Sequence, residues 1–249
     1  FFIPKIVRGE CFFSIGLSEP NSGSDLASLK TTATKVDGGW VVNGMKTWTS
    51  GAHHSHYMIT LCRTAPQDVN NRHGGMSQLI IDLKSEGVNV RQLQFLTGEH
   101  HFNEVFLESV FVPDDRLIGQ EGNGWSQGLT ELSFERSGPE RILSTFPLLN
   151  EAMKLLKVKG DHRGLIDVAK LVSRMWSLRN MSMGIAAMLE EGKDVNLAAA
   201  LVKDLGNSFE QSVAEVIRLL LPTMPSKQEA DHYSRLLAES ILHGPGFTL

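Results

Sequence analysis

Two stretches of this 249-residue chain place small hydroxyl side chains at the ends of apolar runs. The first is Gly16-Leu-Ser-Glu-Pro-Asn-Ser-Gly-Ser24, and the second is Asn43-Gly-Met-Lys-Thr-Trp-Thr-Ser50. Where an apolar run gives way to Ser, Gly and Pro, a strand ends. Main-chain amides and hydroxyls then stand free to hold the edge of a polar, planar ligand. The third candidate is a carboxylate, Glu135, within Leu132-Ser-Phe-Glu-Arg136. At 100° per residue it shares a helix face with Gly124, Gly128, Gly138 and Ile142. A stripe nearly bare of side chains lets a flat or long ligand approach a carboxylate able to take a proton. The same pattern also fits a surface glutamate paired with Arg136 or Arg141, since helix glutamates are mostly exposed.

These residues need elements to hold them. From Glu10 to Pro113 the pattern is one of short β-rich segments separated by turn chemistry. Cys11 to Leu17, Ser28 to Val36, Trp40 to Asn43, His56 to Cys62, Gln78 to Leu83, Val88 to Phe95 and Glu104 to Val112 are the expected strands. Asp37-Gly-Gly39 predicts a hairpin in which Asp-Gly supplies the positive φ angles of a primed turn. Seven short strands without helical crossovers point to a compact β-barrel or sandwich. Pro66 to Gly75 is an expected surface loop.

After Pro113-Asp-Asp115 and the glycines from Gly119 to Gly124, the hydrophobic period changes from two to about 3.6, which marks a domain boundary. Four helices are predicted. The first runs from Asn123 to Val158, bent or interrupted at Gly138-Pro139 because proline removes a helix hydrogen bond and clashes with the preceding turn. The second covers Leu165 to Glu190. The third carries an apolar stripe of Leu197, Leu201, Leu205, Phe209, Val213, Val216 and Leu220. The fourth opens on a capping box, Ser226-Lys-Gln-Glu229, and ends near His243-Gly-Pro-Gly.

Composition narrows the function classes. A hydrophobic content of 41% can furnish a full core, while a net charge of −4 and a pI near 6.2 offer no basic footprint for nucleic acid. The nine histidines lack metal-ligand spacing, so no metal site is expected. Two cysteines, Cys11 and Cys62, sit in apolar, strand-like surroundings that fit structural thiols in a reducing compartment. No run reaches the roughly 18 to 20 apolar residues of a membrane span, and Phe1-Phe-Ile-Pro-Lys5 lacks the layout of a signal peptide. A cytoplasmic location and further residues upstream of Phe1 are expected.

The two opening stretches, followed by Phe102-Asn-Glu-Val105, Val112-Pro113 and Gly122-Asn-Gly-Trp125, stand in the order and spacing of the acyl-CoA dehydrogenase family. The chain resembles that family over Pro4 to Arg141, with consistent helical content beyond. The resemblance implies an α+β multidomain fold: a β-barrel middle domain followed by an α-helical up-down bundle, with the N-terminal helical domain largely absent. On that basis residues 1–8 are a remnant of the N-terminal domain, 9–119 the middle domain and 120–249 the C-terminal bundle.

The resemblance further implies FAD as cofactor and an acyl-CoA thioester as substrate. Leu17 and Ser18 match positions whose backbone, and for Ser18 the hydroxyl, bond the isoalloxazine edge. Trp48 matches the aromatic residue flanking the flavin, and Ser50 the hydroxyl residue approaching N5. Thr49, between them, belongs to the same cofactor-binding segment. Ser24 matches a residue on the acyl-CoA side. Glu135 matches the catalytic base of the long-chain and isovaleryl-type members, and Arg136 is a candidate contact for the CoA moiety. The implied reaction forms a 2,3-enoyl-CoA from a long-chain, branched or steroid-type acyl-CoA, with electron-transfer flavoprotein as acceptor.

Two family segments are replaced. Lys157-Val-Lys-Gly-Asp-His-Arg-Gly164 stands where an Arg-x-x-Phe-Gly segment is expected, and Pro222-Thr-Met-Pro-Ser-Lys-Gln228 where a Gln-x-x-Gly-Gly segment is expected. Those segments clamp the far end of a neighbour's FAD in homo-oligomeric members. The expectation is therefore a hetero-oligomer resembling the α2β2 enzymes of actinobacterial steroid degradation, in which a paralogous partner subunit supplies the clamp. The alternative is a self-sufficient tetramer in which His162 or Arg163 substitutes. Competing readings are a flavin monooxygenase or oxidase of the same fold, and a non-catalytic partner subunit.

Overall fold

Alternation of side chains along extended backbone decides which residues face the core, and β7 shows the rule at work. Asn103, Val105 and Leu107 point inward, then the phase shifts so that Val110 and Val112 do. The shift occurs at Ser109, which has φ 54°, and the Asn43 side chain accepts a 2.8 Å bond from its N–H. The paired strand carries a matching register shift between Val42 and Gly44. One bulge, clasped by one asparagine, thus returns both strands to register.

The computed structural model describes residues 1–222 and 231–248. Two compact units are present, Phe1–Leu129 and Thr130–Leu249. The division falls inside the first long helix, farther along the chain than the change of period at Gly119.

In the first unit a short helix α1 (Phe2–Val7) precedes seven strands: β1 (Phe13–Gly16), β2 (Thr32–Val36), β3 (Gly39–Ser50), β4 (Tyr57–Arg63), β5 (Met76–Asp82), β6 (Val88–Gln94) and β7 (His100–Pro113). They form one curled sheet in the order β1-β4-β2-β3-β7-β6, with β5 added on β4. β1 runs parallel to β4, and the β2–β3, β3–β7, β4–β5 and β6–β7 pairs are antiparallel. The sheet closes over Ala33, Trp40, Val42, Met58, Cys62, Leu79, Ile81, Val105, Leu107, Val110 and Val112. Each of the large side chains among them stabilises the fold by about 1.5–3 kcal/mol on leaving water. Cys62 is buried, and burial pushes its thiol up to about 12, so it packs as an apolar group rather than reacting.

Asp37-Gly38 does join β2 to β3, but only Gly38 has positive φ (73°), so the turn is not the primed type the dipeptide predicts. Ser28 belongs to a 3-10 turn over Leu26–Ser28, and β2 starts only at Thr32.

The second unit is an α-helical bundle: most of α2 (Gly124–Arg136), α3 (Glu140–Leu143), α4 (Phe146–Lys159), α5 (His162–Glu190), α6 (Asn196–Leu220) and α7 (His232–His243). The predicted first helix is three pieces, broken by Gly138-Pro139 and again at Thr145. At the second break Glu210 of α6 accepts the N–H groups of Ser144 (2.9 Å) and Thr145 (2.7 Å), capping α4 from another helix. Burial raises the Glu210 carboxyl above its ordinary value, and the N–H donors oppose that.

The stripe predicted for α6 holds from Leu205 onward, with Phe209 and Val213 in the core and Leu205, Val216 and Leu220 packed against it, but it fails in the first two turns. Its buried side is Ala199, Val202, Gly206, Phe209, Glu210, Val213 and Ile217, whereas Leu197 and Leu201 are exposed. A Cβ on Gly206 would lie 2.4 Å from the Arg141 carbonyl, so the helix turns its small residues inward to approach α3 closely. The capping box at Ser226–Glu229 lies outside the described residues. Asp231 caps α7, accepting from the Ser234 N–H at 2.7 Å.

Candidate cofactor and substrate site

β1 ends at Gly16, and the chain turns tightly at Glu19-Pro-Asn-Ser22, where Glu19 and Ser22 exchange both main-chain bonds at 3.0 Å. The turn drives the Glu19 carboxylate inward. There it accepts from the Lys30 N–H (2.7 Å), the Thr31 N–H (2.9 Å) and the Lys46 ammonium (2.9 Å). Lys46 projects from β3, is fully buried, and also donates to the Leu17 carbonyl at 3.0 Å. The Thr47 N–H donates to the Ser18 carbonyl at 2.9 Å. Leu17–Ser18 and Lys46–Thr47, far apart in sequence, are thereby stitched edge to edge.

Burial works against both charges of the pair. At Glu19 the ammonium and the N–H donors overcome it, and the carboxyl sits below its ordinary value. At Lys46 burial prevails over the attraction of Glu19, and the ammonium sits below the ordinary lysine value. With both carboxylate oxygens accepting and the ammonium bonded to Glu19 and the Leu17 carbonyl, the pair is a fixed strut.

Beyond Lys46 the β3–β7 ladder slips again, between Lys46 and Thr49. Trp48 lies in the slip with φ 57°, a conformation unfavourable for a side chain of its size. It is 47% exposed and meets Phe102 edge-on, with ring centroids 5.7 Å apart. Thr49 is buried and its hydroxyl has no hydrogen-bond partner, while Ser50 is exposed opposite Phe102. Ser24 is exposed on the loop after the turn, next to Asp25, which pairs with Arg72.

The local fit to a flavin edge rests on these features. A partly exposed indole is held at an unusual backbone angle, with half-buried Ser18 and exposed Ser50 on the two stitched segments. Such a set can stack on one part of a flat heteroaromatic ring and hydrogen-bond another.

In the second unit, Glu135 is about half exposed and forms an ion pair with Arg141. That is one of the two partners its surface reading offers. Of the glycines expected to line its face, only Gly128 is open. Gly124 is packed against the Ser77 backbone, and Gly138 lies outside the helix beneath the Glu140 carboxylate. Lys203 of α6 faces the same charges. Its ammonium is lowered first by burial and then by Arg141, with Arg136 adding and Glu135 opposing.

Lys157 to Gly164 forms a helix–helix turn. Gly160 ends α4 with φ 68°, and Asp161 caps α5 by accepting from the Gly164 N–H. His162 and Arg163 are exposed at the start of α5. Residues 223–230, which include most of the second replaced segment, lie outside the described residues.

Glu19, Lys46 and Asn103 were not among the expected site residues. Lys46 carried a legible signal: it shares the parity of the buried Trp40 and Val42 on the same strand, where a lysine demands a buried partner. Among the described residues no helix is long and apolar enough to cross a membrane, and no cluster of His, Cys, Asp and Glu is arranged to hold a metal ion.

Comparison with known proteins agrees with this geometry. Residues 14–110 match the model described as "Acyl-CoA dehydrogenase, middle domain". The chain is 36% identical over 224 residues to acyl-CoA dehydrogenase FadE34 of Mycobacterium tuberculosis, an alignment covering 87% of this chain and 30% of that protein. Among solved structures, a variant of the Tcur3481-Tcur3483 steroid ACAD superimposes with a TM-score of 0.90 at 25% identity, covering 100% of this chain and 66% of that one. The ChsE4-ChsE5 complex from Mycobacterium tuberculosis shares the fold, with a TM-score of 0.85 at 24% identity over 100% of this chain and 67% of the other. The chain thus spans under a third of that curated relative. On these matches the chain belongs to the acyl-CoA dehydrogenase family.

Proposed function

We propose that this chain serves in an FAD-dependent acyl-CoA dehydrogenase that converts a long-chain, branched or steroid-type acyl-CoA into its 2,3-enoyl-CoA. The observation that carries the reading is the Glu19–Lys46 strut, which brings Leu17–Ser18 and Trp48–Ser50 together as one ring-edge binding surface. Leu17, Ser18, Trp48, Thr49 and Ser50 hold the isoalloxazine, and Ser24 contacts the acyl-CoA. When bound, the flavin supplies the two-electron oxidant that takes the β hydrogen as hydride.

Glu135 is the base: its carboxylate accepts the α proton of the thioester. In the resting chain the carboxylate is held by its ion pair with Arg141. Substrate must loosen that contact and exclude water before the carboxylate matches the acidity of the α proton. Arg136 is placed on the same helix as a cation for the CoA moiety.

The replaced segment at Lys157–Gly164 supports a hetero-oligomer with a paralogous subunit, and electron-transfer flavoprotein is the proposed acceptor. The test is coexpression with such a subunit, followed by a flavin count and anaerobic addition of a panel of acyl-CoAs. Loss of flavin absorbance in the wild type, abolished in Glu135→Gln at unchanged flavin content, supports the assignment. Unaltered bleaching in that variant refutes Glu135 as base. Full FAD occupancy and activity of this chain purified alone refutes the shared site.

A further inference from the structure

Asn103, in the Phe102-Asn-Glu-Val105 segment, has no part in the function proposed so far, yet its side chain is fully buried and engaged on both ends. Its Nδ2 donates to the Thr49 carbonyl (3.0 Å) and to His53 Nδ1 (3.1 Å), and its Oδ1 accepts from His100 Nε2 (2.8 Å). These bonds fix the tautomers: His53 keeps Nδ1 bare and His100 carries its proton on Nε2. The His53 and His100 rings stack at 3.8 Å, and the His54 ring lies tilted with its centroid also 3.8 Å from His53. The Gly51 N–H donates to the His101 carbonyl at 2.9 Å, closing the far side of the same segment.

The carbonyl that Asn103 grips belongs to the residue directly after Trp48. A left-handed conformation at a tryptophan persists only where the surroundings over-determine it. The ladder itself cannot do so, because its register slips between Lys46 and Thr49. On one side of the slip stands the Lys46 strut, and on the other the Asn103 clamp.

We propose that Asn103, backed by the stacked His53 and His100 rings, is a positioning residue that sets the orientation of Trp48 and Ser50 and thereby of the bound ring edge. The part concerning the ring rests on the function proposed above; the part concerning Trp48 does not. Burial, followed by the neighbouring His100 and His54 rings, lowers His53 below the ordinary histidine value. The titratable groups facing it are His54 on its own loop and His100 and His101 at the start of β7. A proton on His53 Nδ1 would oppose the Asn103 N–H, so acidification below the ordinary histidine range opens the clamp.

The experiment uses the full chain, with the Trp48→Phe variant subtracting the emission of Trp40, Trp125 and Trp176. In flavin-free protein, Asn103→Asp, which keeps the shape but sets an oxygen against the Thr49 carbonyl, raises quenching of Trp48 by acrylamide and lowers its anisotropy. On acidification the wild-type signal moves the same way. The Asp variant moves back toward the neutral wild type, because a protonated His53 can donate to the new carboxylate. FAD titration in the assembled complex then weakens by about tenfold, the loss of one buried hydrogen bond. A side chain that merely fills space would leave the isosteric variant silent.

A folded Asn103→Asp protein with wild-type Trp48 emission at every pH overturns the proposal. Should that variant fail to fold, His53→Phe with His100→Phe, which keeps the stack but removes both ring nitrogens, must loosen Trp48; an unchanged Trp48 overturns it equally. Failure of the wild type to take up FAD, with the Trp48 responses intact, refutes the flavin reading and leaves the clamp standing.

Discussion

The two regions that carry the proposed site residues are built in opposite ways. In the β unit, the Gly16–Ser24 and Asn43–Ser50 stretches are locked by a buried ion pair backed by main-chain donors and an acceptor, and one residue is held in a strained conformation. In the helical unit, Glu135 stands half exposed on a helix broken shortly afterwards, held by one arginine. The difference teaches which costs are met on folding and which are left to the ligand. A planar cofactor needs a surface of fixed shape, and rigidity supplied by the fold spares ordering cost on binding. A base must change its surroundings during turnover, so a solvated contact that substrate can displace suits it better than a buried one.

This contrast can be broken at several points. The largest effect is expected at Glu135, where Gln should lower turnover by about 10²–10⁴-fold. Flavin content should be untouched, as measured by single-turnover bleaching; a parallel loss of flavin would make Glu135 a structural residue like Glu19. Next comes Lys46→Met, which leaves the Glu19 carboxylate buried and unpaired and should cost about 3–5 kcal/mol in denaturant unfolding. A cost near that of a surface ion pair would erase the distinction between the two regions.

Smaller effects distinguish two buried glutamates of opposite sign. Glu19 has a folded value below its unfolded one of 4.5, so its contribution is full above pH 4.5 and is lost as pH falls through the folded value. Glu210 is raised above 4.5, so stability falls as pH climbs from 4.5 through its folded value. Unfolding curves between pH 3 and 7, about the span of carboxylate titration, should lose their acid limb in Glu19→Gln. In Glu210→Gln the slope above pH 4.5 should flatten, at a cost of about 1 kcal/mol for the weakened cap. Identical pH profiles in both variants would refute the assignment. The smallest effect is at Ser109, where glycine relieves the positive φ. It should stabilise by about 0.5–1 kcal/mol in a thermal melt.

How far the chain could be read without its fold varies with the physics involved. Strand alternation and the Gly138-Pro139 break depend on neighbouring residues only, and both are legible. The α6 stripe is legible from Leu205 onward but not at its start, because hydrophobicity favours Leu197 and Leu201 while close helix approach favours Ala199 and Gly206, and packing geometry wins there. The open glycine face around Glu135 fails for a related reason: Gly124 is an approach point for the Ser77 backbone, invisible until the strand is placed. The Asp37-Gly38 turn is legible as a hairpin but not in its type, which the pairing of β2 with β3 sets.

By itself the sequence determined the succession of β and helical regions, the hydroxyl-rich turns and the family, since each rests on local pattern or on motifs in order. Only the tertiary structure decided that Glu19 reaches Lys46, that Glu210 caps a helix remote in sequence, and that Asn103 grips the residue after Trp48. Those contacts join residues 27, 65 and 54 positions apart. Burial, which makes such contacts both costly and specific, exists only once the strands and helices have closed over them.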